Sequence, residues 1–426
     1  MSERNFLRKI IIFPLILVFI FISVTCNSFA AFETGDDIKV KSKASVVMNA
    51  NGKALLYDKE ANKKMYPAST TKVLTALIVL ENVENLDEEV TVSKNAVFGI
   101  EAGSSHIALK PGEKISVRNL LYALLLASAN DAAVALAEHV GGSVKGFADM
   151  MNAEAEEMGL TGSHFVNPHG LYNKDHYTTA YDLAVITSEA CKQEEFLKII
   201  SSPKHTIPKT NKTKKKRPLW NKHRMTKNQY AYDEDVVGGK DGYIEKSKCN
   251  LITIANTNDM TLVFVTMRCK SFDICVKDTE KLLKYYRNNY YGINLDVDLN
   301  KVSTDKIKDI DVYTEDSVLQ ATVKKSVPKE DVKTEVSLLD NIELPIQENQ
   351  VLGVLQAKYG DDVLGTTPIH SVKKVSKSHK IIVDIILILI TILLLRMFYR
   401  MYRNAQRKKR RRQRREAERR ARARGY

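Results

Sequence analysis

Ser69-Thr70-Thr71-Lys72 opens a run that is apolar almost without interruption, Val73-Leu74-Thr75-Ala76-Leu77-Ile78-Val79-Leu80. That run predicts a helix apolar almost all round, and such a helix carries its start into a core. A serine and a lysine three apart lie one turn apart on one face, so the amine reaches the hydroxyl. A serine hydroxyl is a weak nucleophile at neutral pH, and a lysine activates it only when burial or a second cation lowers the amine's pKa. The pair therefore reads as a nucleophile, Ser69, beside its base, Lys72. A pattern with two fixed letters also recurs by chance in a chain of 426 residues, as an exposed helix cap, so the reading needs support from elsewhere.

Two further segments supply that support. Ser128-Ala129-Asn130 interrupts an apolar helical stretch, with Leu120-Leu121-Tyr122-Ala123-Leu124-Leu125-Leu126-Ala127 before it and Asp131-Ala132-Ala133-Val134-Ala135-Leu136-Ala137 after it. Buried polar groups left unpaired cost about 1 to 3 kcal/mol each, so these residues need partners, and a catalytic cleft provides them. The third segment, Gly238-Gly239-Lys240-Asp241-Gly242-Tyr243, precedes two strand-like runs, 249–255 and 261–267. Glycines beside a strand-borne lysine let a substrate backbone approach closely.

The order S-x-x-K, S-x-N, K-x-G is similar to the motif set of penicillin-binding proteins and class A β-lactamases. Pro67-Ala68 before Ser69, Met151-Asn152-Ala153, Phe165-Val166-Asn167-Pro168-His169-Gly170-Leu171 and Thr178-Thr179-Ala180-Tyr181-Asp182-Leu183-Ala184 extend the likeness over most of residues 38–375. The chain resembles the D-alanyl-D-alanine carboxypeptidases, the low-molecular-weight penicillin-binding proteins. The N-P-H-G-L segment, a second domain and a C-terminal anchor fit these peptidases rather than β-lactamases, and no segment resembles the glutamate-bearing loop of class A enzymes. The resemblance implies an α+β catalytic domain of the β-lactamase/DD-peptidase kind, an antiparallel sheet with a helical cluster. It implies that Ser69 attacks the carbonyl between the two terminal D-alanines of a peptidoglycan stem peptide, that water hydrolyses the acyl-enzyme, and that β-lactams acylate the same serine. Lys72 is then the proton acceptor, and Ser128 and Lys240 relay protons to the leaving amine. The division of this work between the two lysines stays open. Asn130 is implied to hold the substrate amide, with the N–H groups of Ser69 and Tyr243 as the oxyanion hole and Lys240, Asp241, Gly242 and Tyr243 lining the substrate. No cofactor and no metal is implied.

One departure matters. The family pattern is K-T-G, whereas this chain has Lys240-Asp241-Gly242, with Ile244 in place of a later threonine. The family threonine donates to the substrate's terminal carboxylate; an ionised aspartate only accepts. Two carboxylates about 4 Å apart repel by about 1 to 4 kcal/mol. Either Asp241 points away or pairs with Lys240 or an arginine and activity survives, or substrate selection is weakened. The extreme alternative is a catalytically weakened or silent peptidoglycan-binding homologue.

The net charge of +14 is a property of the chain's ends. Residues 396–426 hold 15 Lys and Arg against Glu416 and Glu418, and residues 1–30 add a net +2, leaving a nearly neutral body. A basic nucleic-acid-binding surface is thus not expected on the body, and no specific nucleic acid is expected as partner. Arg4, Arg8 and Lys9, then an apolar run, then Ser28-Phe29-Ala30 predict a signal peptide over 1–30. Cys26 follows Ser23-Val24-Thr25, a poor match to a lipidation site, and lipidation is not expected. Residues 381–399 predict a transmembrane helix of about 28 Å, and the Arg-rich tail 400–426 predicts a cytoplasmic end that touches anionic lipid. The catalytic body then faces the wall from the cell membrane. Cys191, Cys249, Cys269 and Cys275 form neither a disulfide framework nor zinc-ligand spacing, and Lys214-Lys215-Lys216-Arg217 reads as a solvated hairpin. Domain expectations are catalytic 38–287, all-β 293–370 from short strand-like runs, and a Lys/Ser-rich linker 371–380.

Overall fold

The fold is built around five antiparallel strands: β1 (Ala44–Asn49), β2 (Leu55–Lys59), β3 (Val236–Ile244), β4 (Lys248–Thr257) and β5 (Met260–Cys269), in the order β2-β1-β5-β4-β3. The computed structural model describes residues 38–304, 307–314, 317–375 and 380–423. The expected signal peptide, 1–30, lies outside the described residues. Every residue of β1 is buried, which explains why Ala44-Ser45-Val46-Val47-Met48 shows no polar alternation: both faces of the sheet are covered. Ile252, Ile254, Val263 and Val265 join the helical core, while their alternates Leu251, Leu262 and Phe264 are equally buried outside that cluster, as a strand's two-residue period requires.

Five helices position the chemistry: α1 (Lys72–Asn82), α2 (Val117–Leu126), α3 (Asn130–Gly141), α4 (Ala180–Cys191) and α5 (Phe272–Asn289). α1 buries Lys72 through Val79 without a gap, so its first turn is carried into the core as its composition predicts. α4 packs on β1, β5 and α1, and α5 packs on β4 and β5. The apolar stretch 120–137 is two helices. Ser128 adopts a left-handed φ of 59° that ends α2 and redirects the chain into α3, a conformation that costs a non-glycine residue about 1 to 2 kcal/mol and is concentrated at functional sites. β3 is an edge strand, with Lys240 opposite Ile252 and Gly242 opposite Asn250. Among the described residues no further strand pairs with its outer edge.

The described chain divides into two compact units. The first holds everything up to 299 together with 314–338 and 353–369. In it Tyr290–Asp296 pairs antiparallel with Val318–Lys324, residues 333–338 pair with 353–358, and Asn49 Nδ2 donates to Thr322 Oγ1 at 2.7 Å. The second unit comprises 300–313, 339–352 and the residues from 370 on, with Lys301 paired to Asp311 and Ile346 bridged to Val375.

The expected boundary between the apolar run and the Arg-rich tail is not a break in structure: a single helix, Lys380–Ala423, contains both over 44 residues. Among the described residues no helix is long and apolar enough to cross a membrane. The span expected over 381–399 is therefore not shown. The 214–217 run is solvated at its three lysines, but Arg217 turns inward and pairs with the fully buried Glu113 at 2.6 Å.

Candidate active site

Ser69 sits in a single 3-10 turn, Ala68–Thr71, whose geometry is held by its neighbours. Ala68 is fully buried at φ 53°. Thr70 Oγ1 donates to Pro67 O at 2.8 Å, and Thr71 Oγ1 donates to Ala68 O at 2.9 Å. Buried His176 completes the bracing. Its Nδ1 accepts the Val166 N–H at 3.1 Å, so the proton of the neutral ring lies on Nε2 and is donated to Thr71 Oγ1 at 2.9 Å. Burial holds the pKa of His176 down to about 3, which keeps that tautomer in force at neutral pH.

The lysine is enclosed. Lys72 is fully buried, and its Nζ lies 3.0 Å from Ser69 Oγ, 2.8 Å from Asn130 Oδ1 and 2.8 Å from His169 O. Burial first, and the charge of Lys240 second, hold its pKa well below the usual 10.5. A neutral amine has two N–H groups and one lone pair. The carbonyl oxygens of Asn130 and His169 can only accept, so in the neutral form that burial favours they take both N–H groups and the lone pair is left for the Ser69 hydroxyl. Local chemistry explains the N-P-H-G-L loop that supplies one of those acceptors. Asn167 Oδ1 accepts from the N–H of His169 and Gly170 at 3.3 and 2.7 Å, while Thr75 on α1 donates to Pro168 O at 2.6 Å. Gly170 lies at φ 82°, and a Cβ there would stand 1.8 Å from Ala68 O. Burial, then Lys72, push the pKa of His169 down to about 3; the ring accepts the Leu171 N–H, and the residue serves the site through its carbonyl.

Asn130 begins α3 and is 3 % exposed; with Oδ1 committed to Lys72, its remaining side-chain hydrogen-bonding capacity is the two amide N–H groups of Nδ2. Next to it, buried Asp131 accepts from the N–H groups of Ile107 and Leu109 at 3.2 and 3.0 Å, tying a neighbouring loop to the start of α3. Ser128, buried, takes its place through the left-handed turn.

β3 closes the site from the other side. A Cβ at Gly242 would lie 2.9 Å from Ser69 N and 3.0 Å from Thr70 N, so only glycine lets the edge strand pass this close to the Ser69 turn. Asn250 on β4 locks the two together: its Nδ2 donates to Tyr66 O and Pro67 O at 2.9 and 2.8 Å, and its Oδ1 accepts the Arg268 N–H at 2.8 Å. Tyr243 is exposed, its hydroxyl donating to Glu245.

The departure from K-T-G resolves into an ion-paired unit. Asp241 Oδ1 accepts from Lys240 Nζ at 2.9 Å and Oδ2 from Arg224 Nη1 at 3.3 Å. Burial alone would raise its pKa, but Lys240 and Arg224 outweigh that and hold it below the usual carboxylate range. Arg224 is in turn stacked on Phe272 at 3.7 Å. Thus the aspartate carries its own counter-charges, and Lys240, 1 % exposed, is partly neutralised from within. The three sequence motifs meet at Lys72, with Ser69, Asn130 and the K-x-G strand around it. Arg224, His176 and Asn250 shape the site as well, beyond the residues the motifs name. Asn250 had a signal, a lone amide in an apolar strand; Arg224 and His176 lie in irregular segments with none.

A family model described as D-alanyl-D-alanine carboxypeptidase matches residues 30–271, and one described as the penicillin-binding protein 5 C-terminal domain matches 290–377. The chain is 32 % identical over 347 residues to D-alanyl-D-alanine carboxypeptidase DacF of Bacillus subtilis, covering 79 % of this chain and 87 % of that one. It is also 32 % identical over 268 residues to D-alanyl-D-alanine carboxypeptidase DacC of Escherichia coli, covering 61 % and 64 % of the two chains. Among solved structures, penicillin binding protein 5 from Haemophilus influenzae matches with a TM-score of 0.60 and 25 % identity, over 80 % of this chain and 98 % of that one. The likeness spans a peptidase catalytic domain followed by a C-terminal all-β domain, and the silent-homologue reading of Asp241 is not favoured. The chain belongs to the D-alanyl-D-alanine carboxypeptidase family.

Proposed function

We propose that this chain is a serine D-alanyl-D-alanine carboxypeptidase in which Ser69 attacks the carbonyl between the two terminal D-alanines of a peptidoglycan stem peptide. The observation that carries the residue roles is the Lys72 amine, buried, pKa-depressed and left with one lone pair toward Ser69 Oγ. Lys72 takes the hydroxyl proton as the Oγ–carbonyl bond forms. The N–H groups of Ser69 and Tyr243 receive the oxyanion, each such donor being worth about 2.7 to 4 kcal/mol. Collapse of the tetrahedral intermediate breaks the C–N bond, and the proton passes through Ser128 and Lys240 to the leaving D-alanine amine. Water then enters, Lys72 removes its proton, and the acyl-enzyme is hydrolysed. Asn130 holds the substrate amide, and Lys240, Asp241, Gly242 and Tyr243 line the strand-like substrate. A β-lactam takes the same path as far as the acyl-enzyme. Labelling the protein with a fluorescent penicillin, beside Ser69→Ala, tests this. Label on the wild type and none on the variant is expected; a wild type that stays unlabelled under long exposure sinks the covalent mechanism.

We propose further that the protein is held at the cell membrane by 381–399, with the catalytic domain outside and the Arg-rich tail inside against anionic lipid. In support, Ile388, Leu389, Leu393 and Leu395 are more than half exposed, and basic residues follow directly. Deleting 381–426 should release the protein from the membrane fraction; retention of the truncated chain would argue against the anchor.

A further inference from the structure

Outside the catalytic residues the chain builds a hollow of about 240 Å³ walled by Lys64, Tyr66, Lys174, Tyr177, Lys246 and Arg268. No acidic side chain lines it, and among the described residues none of its four cations forms an ion pair. Glu245, next to Lys246 in sequence, is taken up by Lys248 and by the Tyr243 hydroxyl. Lys64 lies over the Tyr177 ring at 4.5 Å, and Tyr66 packs edge-on to Tyr172 at 5.2 Å. Arg268 is in the left-handed region at φ 55°, at the register shift between Cys249 and Leu251, held there by Asn250. A strained backbone conformation retained by a buried amide is the kind of feature functional sites keep.

The walls are continuous with the catalytic segments. Residues 64–66 lead into the Ser69 turn, 174–177 follow the loop that gives its carbonyl to Lys72, and 246 follows β3. Order along β3 sets what reaches the hollow. The substrate's terminal carboxylate belongs near Lys240 and Asp241, and the scissile carbonyl oxygen belongs at the Tyr243 N–H. Peptide upstream of that carbonyl, laid along the edge strand, therefore runs past Ile244 toward Lys246 at about 3.3 Å per residue. We propose that the hollow is an anion subsite that takes a carboxylate carried by the stem peptide upstream of its two D-alanines. This rests on the carboxypeptidase reading and adds a specificity determinant to it.

Two synthetic peptides ending in D-Ala-D-Ala, identical except for glutamate or glutamine two residues upstream of that pair, test the proposal with the full-length protein. The wild type should favour the glutamate peptide in kcat/KM by about tenfold, from several exposed charge contacts acting together. Lys64→Gln with Lys246→Gln, and separately Arg268→Gln, should each reduce that preference about threefold or more and leave the glutamine peptide unchanged. Raising salt from 0.05 to 0.5 M should erase the preference. Equal kcat/KM for both peptides in the wild type, or variants that slow both peptides alike, would overturn the subsite. Binding of the two peptides to Ser69→Ala, read by calorimetry, separates the two levels. If the wild type releases D-alanine from neither peptide the carboxypeptidase reading fails, whereas tighter binding of the glutamate peptide still upholds the subsite and equal binding still refutes it.

Discussion

Asp241→Thr perturbs the place where this chain departs from its family, and its consequences can be worked from the structure. The carboxylate pairs with Lys240 at 2.9 Å and Arg224 at 3.3 Å, with side-chain exposures of 18 % for Asp241, 1 % for Lys240 and 24 % for Arg224. Removing one partner of a fully buried pair costs about 3 to 5 kcal/mol. Because Asp241 and Arg224 keep some solvent, the cost here should be about 2 kcal/mol, or a fall in Tm of about 5 °C for a domain of this size. Substrate binding should move the other way. A substrate carboxylate about 4 Å from Asp241 meets a repulsion of about 1 kcal/mol at the low end, the end that applies when two cations already offset the charge. Threonine removes that repulsion, restores a hydroxyl donor and frees Lys240 and Arg224 for the ligand, so kcat/KM for a peptide with a free terminal carboxylate should rise by about tenfold. A peptide with that carboxylate amidated should gain little. The assay is D-alanine release for the free peptide and terminal amine release for its amide, beside thermal unfolding. Unchanged kinetics on both peptides would refute the claim that Asp241 faces the substrate carboxylate, and an unchanged Tm would refute the buried ion-pair account.

Other expectations follow from single contacts. Gly242→Ala places a Cβ 2.9 Å from Ser69 N; displacing the nucleophile turn by even a fraction of an ångström should cut the penicillin acylation rate about 100-fold while the fold persists, and near-normal acylation would show the strand has room to give. Lys72→Met should abolish acylation and change the pH dependence of stability. Lys72 has a folded pKa below its unfolded value, so the unfolded state binds its proton more readily and the wild type gains stability as pH rises toward 10.5. Whatever its offset at pH 7, the Tm of Lys72→Met relative to wild type should therefore fall as pH goes from 7 to 10; a constant difference would mean the amine is not held neutral.

The three motifs, the order in which they occur and the burial of α1 were legible in the sequence, because each depends on local chemistry. Ser69 and Lys72 are neighbours by helical geometry alone, an all-round apolar run buries its first turn wherever it packs, and polar letters inside apolar stretches demand partners. The break at Ser128 was only half legible. The polar residues were visible, but the split into two helices depends on a left-handed turn that no local preference of serine selects. What the tertiary structure alone decided is who those partners are. Lys72 finds Asn130 58 residues away and His169 97 residues away, and Asn250 reaches back 183 residues to Pro67. The fate of Asp241 belongs to the same class. Its identity announced a conflict with substrate, but whether that charge faces a ligand or an internal cation depends on Arg224, delivered by an irregular segment and braced on Phe272. Periodicity and spacing encode contacts within a turn or a strand pair; contacts across the sheet edge arise only when burial of both sheet faces brings distant segments together, and the energy that selects them is shared over the whole core.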